Sequence, residues 1–128
     1  MTLSEINAQI MFQTNNDIDD LGDFKPHITD YINQGYDLLV EAYTGEHVTA
    51  DSETYPALVD NSDEPNLPEY SHRAIVDFAT YLIYRNGNIV KQNRGQAYYS
   101  AFYEVLVKLK YEGGTRNKPL RFINIYKD

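Results

Sequence analysis

Three histidines, His27, His47 and His72, are the only side chains of this 128-residue chain that ordinarily titrate near neutral pH. Two have a carboxylate close in sequence: Asp30 follows His27 and Asp77 follows His72. Such a pair can serve as acid and base where a glycine-rich turn or a strand end displays both groups to a substrate. Neither pair occupies such a setting, because both histidines fall in the expected first turns of helices, where partial exposure is the ordinary condition. With no cysteine the chain has no thiol nucleophile, disulfide or soft-metal site. The histidines lie on separate segments without close ligand spacing, and there is no Ser-centred elbow, HExxH, Walker loop or dinucleotide fingerprint. The sequence therefore assigns no catalytic, cofactor-binding or metal-binding residue, and no cofactor.

Two further runs invite a chemical reading. Asp17, Asp19 and Gly22 imitate positions 1, 3 and 6 of a calcium-binding loop, but position 5 is Leu21 and position 12 is Ile28. Without the bidentate glutamate the oxygen shell is incomplete, so the segment reads as a solvated acidic turn with Asp23 near the positive end of the next helix. The run from Arg85 to Gly95 holds Lys91 and Arg94, with Tyr98 and Tyr99 just beyond. Bases beside aromatic rings can hold a phosphate backbone and stack on bases. The competing reading is structural: Arg85 and Arg94 flank a tight helix-helix corner and reach carboxylates of the same or a neighbouring subunit, for which the arginine fork is suited.

Charge favours the second reading. Residues 1–69 carry fifteen Asp and Glu against one base, Lys25, while residues 70–128 carry ten Lys and Arg against four acids. The halves differ in sign, about −14 and +6, within a net charge of −8. The basic half of one copy thus has a natural partner in the acidic half of another, unless both halves cancel inside one domain. Twelve tyrosines, five phenylalanines and no tryptophan suit the rim of a small core and suit interfaces, since tyrosine joins apolar area to a hydroxyl. Met1 to Glu5 lacks the basic start and apolar run of a signal peptide, and no window reaches the ~20 apolar residues of a membrane span.

The elements that position these residues follow from periodicity. Thr2 and Glu5 have capping-box spacing before Leu3, Ile6 and Ile10, which predicts a short helix ending near Gln13 to Asn16. Pro26 opens a second helix with Ile28, Ile32, Gly35, Leu39 and Ala42 or Tyr43 inward, stopped by Gly45. Residues 46–67 read as a long loop, mobile or part of a contact surface. Pro68 starts a third helix with Ala74, Ile75, Phe78, Ala79, Leu82 and Ile83 inward, ended by Asn86-Gly87. A fourth runs from Asn88 to Glu112, with Arg94, Tyr98, Ala101, Phe102, Val105, Leu106 and Leu109 inward and Val90 near its start. Gly113-Gly114 is expected to stop it, and Leu120, Phe122, Ile123, Ile125 and Tyr126 then read as a strand-like arm that pairs with a short piece of the long loop or is donated to a neighbouring subunit. The fold expected is mainly α: a small helical bundle with a long loop and a C-terminal strand-like arm.

The runs Tyr70 to Asn88, Lys91 to Gly95 and Ala101 to Leu106 resemble the C-terminal helical pair of tailed-phage head-tail connector (adaptor) proteins, and Asp30 to Leu39 resembles their preceding helix. The resemblance covers most of residues 24–112. It implies a small virion protein, made in the host cytoplasm, that forms a ring, commonly of twelve subunits, between portal and tail-completion proteins. DNA passes through the lumen of such a ring without sequence-specific binding. It also implies a connector-like helical domain over 1–112 and an assembly arm over 113–128. The long acidic loop and strand-like end depart from the connector pattern and leave open another virion or tail-completion role.

Taken together, the sequence favours a non-enzymatic structural subunit with self-association and no membrane partner. Its subunit-interface candidates are Arg85, Lys91, Arg94 and the five apolar residues of the arm. A helical nucleic-acid-binding or regulatory module using Lys91, Arg94, Lys108 and Lys110 is the alternative, and a small-molecule or metal enzyme is the third reading.

Overall fold

The computed structural model describes residues 1–14, 25–45, 53–85 and 87–117. Four helices dominate them: α1 at Leu3–Gln13, α2 at Ile28–Thr44, α3 at His72–Arg85 and α4 at Ile89–Asn117. Short 3-10 turns at Lys25–His27 and Glu69–Ser71 lead into α2 and α3. No strand occurs among the described residues, and the mainly α bundle is the fold of this part of the chain. The arm residues Leu120, Phe122, Ile123, Ile125 and Tyr126, and the calcium-like run from Asp17 to Asp23, lie outside the described residues.

The capping box expected before α1 forms in full: the Thr2 hydroxyl accepts the Glu5 N–H at 3.2 Å, and the Glu5 carboxylate accepts the Thr2 N–H at 3.0 Å. Two more amides of the helix start are satisfied from far along the chain. The Leu3 N–H donates to the Asp63 carbonyl at 2.7 Å and the Ser4 N–H to that of Asn61 at 3.1 Å. Leu3, Ile6 and Ile10 are then buried against α3.

Helix α3 is the centre of the bundle and packs against each of the other three helices. That position explains why it is buried on nearly all sides, Val76, Thr80 and Tyr84 included, where a single inward stripe was expected. Its polar residues find partners on α1. Gln13 accepts from the Thr80 hydroxyl at 2.6 Å and donates to Asp77 at 3.3 Å, while the Tyr84 hydroxyl donates to the Gln13 carbonyl at 3.3 Å. Helix α2 buries the expected Ile28, Ile32, Gly35 and Leu39, adds Tyr36 and Val40, and ends at Gly45 with φ 75°.

The described part of the long loop is fastened to the bundle. Asn33 holds Leu58 by two hydrogen bonds, Tyr36 accepts the Asn66 N–H at 2.9 Å, and the Asp63 carboxylate accepts the N–H groups of Val59 and Asp60.

Helix α4 corrects the sequence reading in two ways. It does not stop at Gly113 but continues to Asn117, through the boundary drawn there between a helical domain and an arm. Gly113 is buried where α4 meets α2, and a β-carbon built on it would overlap the Tyr43 carbonyl oxygen. The glycine lets two backbones approach; it is not a terminator here. Second, the buried positions of α4 before Gly113 are Gly95, Phe102 and Leu109, at intervals of seven, with the expected Tyr98, Ala101, Val105 and Leu106 only half-buried beside them. Arg94 and Val90, expected inward, are exposed because the helix turns about 100° per residue away from that narrow seam.

Candidate assembly interface

The residues paired on chemical grounds do not converge. His72 is buried, contrary to the partial exposure expected in a first turn. Its Nε2 lies 3.0 Å from the Leu67 carbonyl oxygen, which can only accept, so this nitrogen carries the proton. Nδ1 then accepts from the N-terminal ammonium of Met1 at 2.7 Å. The same ammonium reaches Glu69 at 2.9 Å and Glu64 at 3.4 Å. Burial works to lower the pKa of the ammonium, but its hydrogen bonds to the two glutamates outweigh burial and the net shift is upward. Asp77 takes other partners, Gln13 and, at 3.8 Å, Arg73. His27 is exposed with its ring beside Tyr31, and among the described residues no three His, Asp or Glu side chains gather as a metal cage.

The candidate interface residues on the helices divide by environment. Arg85, the last residue of α3, and Arg94 are exposed at the α3-α4 corner. Lys91 is half-buried: its N–H donates to the Asn88 side chain at 3.0 Å, which caps α4, and its aliphatic stem lies against Gly87. Lys108 stands 4.2 Å over the Tyr70 ring, whose hydroxyl donates to Glu112. These contacts fasten one flank of α4 to the turn before α3.

The opposite flank carries what the sequence reading missed. Tyr99, Tyr103, Val107 and Tyr111 recur every four residues and are 37%, 53%, 47% and 75% exposed. A repeat of four on a helix of 3.6 residues per turn drifts by roughly 40° per step, so the row leaves the seam and winds onto the open face. Its inner end is anchored by rings. Phe102 packs on Phe78 with centroids 4.7 Å apart, Tyr99 on Tyr81 at 4.8 Å, and Tyr103 stacks beside Tyr99 at 6.4 Å. The signal was present in the sequence as a second period-four row beside the core stripe.

Charge at the surface keeps the sorting of the sequence. The described residues from Pro26 to Glu69 hold eight carboxylates and no Lys or Arg, whereas α4 from Lys91 to Glu112 holds four bases and two acids. Tyrosine-rich, partly apolar ridges bordered by charge are the make-up of protein contact surfaces. No described helix is long and apolar enough to cross a membrane. Comparisons of this chain with protein-family models, with curated proteins and with solved structures give no match.

Proposed function

We propose that this chain is a non-enzymatic assembly subunit, and specifically a ring-forming component of a tailed-phage head-tail junction placed between portal and tail. The observation that carries the assembly reading is the Tyr99–Tyr103–Val107–Tyr111 row, anchored in the core at one end and open at the other. Large apolar side chains scattered singly need no explanation, but a contiguous row on the longest helix does. The narrower reading, a head-tail connector, rests on the order and length of the helices and on the sequence runs that resemble that class. Its test is the full chain mixed with a portal ring from the same phage and imaged by negative-stain electron microscopy. Added annular density at the portal's tail-facing end is expected. A chain that neither binds the portal nor self-associates at millimolar concentration counts against the proposal, as does tight, steeply salt-dependent binding to duplex DNA by the monomer.

A further inference from the structure

The tyrosine row is most open at the end where α4 leaves the described residues. Tyr99, Tyr103 and Val107 are 37%, 53% and 47% exposed, whereas Tyr111 is 75% exposed and stands six residues, about 9 Å, before Asn117, the last described residue of the helix. Eleven residues follow Asn117 in the sequence, and five of them, Leu120, Phe122, Ile123, Ile125 and Tyr126, are large and apolar. From Asn117 back to Tyr99 is eighteen residues of helix, about 27 Å, while eleven extended residues span up to about 36 Å. Residues 118–128 are therefore long enough to run back along the whole row, and Pro119 cannot prolong the helix. An extended chain sets alternate side chains about 6.6 Å apart, close to the roughly 6 Å between residues four apart on a helix. Leu120 with Phe122, or Ile123 with Ile125, can follow that spacing.

Area and tethering select this occupant. An aromatic side chain presents about 150–250 Å², so at their exposures the three tyrosines of the row offer roughly 250–400 Å², half or less of the about 800 Å² that each partner contributes to a stable interface between free proteins. A free second copy seated on the row alone gains too little, row against row included. A segment joined directly to the end of α4 competes at an effective concentration in the millimolar range. Glu104 and Lys110, the exposed charges on the row's side of α4, are of opposite sign, so charge does not decide between occupants. We propose that residues 118–128 lie along the Tyr99–Tyr111 row of their own chain, and that a neighbour reaches this face only by displacing them. The docking stands on the row and on the length of chain beyond it; the displacement rests on the assembly reading above.

The chain has no cysteine, so a nitroxide attached through Asn124→Cys, a polar position among those apolar residues, is the only such label on the full-length protein. In isotope-labelled chain, broadening of backbone amide signals reports which residues the nitroxide approaches. Broadening across Tyr103 to Tyr111 is expected, together with its loss in V107E with Y111E, whose helix content circular dichroism checks; Y111E alone serves if the double variant unfolds. Broadening confined to residues after Gly113, or unchanged in the row variant, overturns the docking. A mixture of nitroxide-bearing chain without isotope and isotope-labelled chain without nitroxide shows whose row is covered. No broadening is expected there, and broadening of the row in that mixture assigns it to a neighbour's segment and overturns the own-chain docking. Displacement is read by sedimentation velocity from micromolar to millimolar concentration. F122E with I125E should free the row, and self-association about tenfold stronger than that of the unaltered chain is expected, as for a face open about a tenth of the time. Unchanged or weaker association overturns the displacement. If both chains stay monomeric while the broadening of the row stands, the assembly reading fails and the docking holds.

Discussion

Asn33 and Leu58, twenty-five residues apart, pair as two strand residues would, although one contributes only its side chain. The Leu58 N–H donates to Asn33 Oδ1 at 2.9 Å and Asn33 Nδ2 donates to the Leu58 carbonyl at 3.0 Å. This amide buries Leu58 in the core and fixes the loop whose next residues complete the cap of α1. Asn33→Ala leaves a donor and an acceptor at a part-buried site without partners. A loss of about 2 kcal/mol is expected, read as a lower urea midpoint with unchanged slope. Faster amide exchange at Leu58, Leu3 and Ser4 should accompany it, because these amides hang on one loop. An unchanged midpoint would mean that the loop is held by its other bonds.

Gly113→Ala sets two effects against each other. Alanine favours a helix interior by up to about 1 kcal/mol over glycine, whereas overpacking commonly costs about 1–3 kcal/mol. The overlap here is with the Tyr43 carbonyl, backbone that cannot swing aside as a side chain can. Destabilisation is therefore expected. Gly95→Ala meets the Tyr84 β-carbon at 3.1 Å and should cost less. Urea midpoints of the two variants should fall in that order, and equal or higher stability of Gly113→Ala would remove the close approach of α2 and α4 as the reason for the glycine.

Asp77 and Glu69 respond to pH with opposite signs. Burial raises the Asp77 pKa, against the opposing hydrogen bond from Gln13 and the charge of Arg73. The folded state thus binds the Asp77 proton more tightly than the unfolded chain, and this group's contribution is fully present below 3.8 and lost as pH rises through its folded value. Glu69 is held below its usual range, first by the hydrogen bond from the N-terminal ammonium, so its contribution is present above 4.5 and lost as pH falls through its folded value. Asp77→Asn keeps an oxygen for Gln13 and removes the buried charge. It is expected to raise the thermal midpoint at neutral pH, with the gain shrinking as pH falls toward about 3. A gain independent of pH would place its origin elsewhere.

Arg94→Glu separates assembly from folding. Arg94 is exposed on α4, and exposed ion pairs contribute about 0–1 kcal/mol, so helix content and thermal midpoint should stay near those of the unaltered chain. Association at low salt should weaken, and the difference should narrow as salt screens the contact. Unfolding of this variant would assign Arg94 to the bundle itself, and unchanged association across the salt range would remove it from the interface.

The sequence by itself determined the four helices, the capping box of α1, the glycine stop of α2 and most of the inward stripes of α1 to α3, because these depend on residues three or four apart: Thr2 with Glu5, Ile28 with Ile32, Gly45 after Thr44; Pro26 and Pro68, expected to open α2 and α3, stand instead in and before the 3-10 turns that lead into them. It also carried the sorting of charge and, in an unread second row, the surface tyrosines of α4. The tertiary structure decided what depends on residues distant in sequence. Gly113 reads locally as a helix stop and is a contact only because Tyr43 lies against it. His72 is buried because Leu67 and Met1 meet its two ring nitrogens. The loop at Leu58 is ordered because one amide on α2 matches its backbone. Local spacing sets which face a helix can bury; how narrow that face becomes, and so which tyrosines stay outside, is set by how closely its neighbours approach.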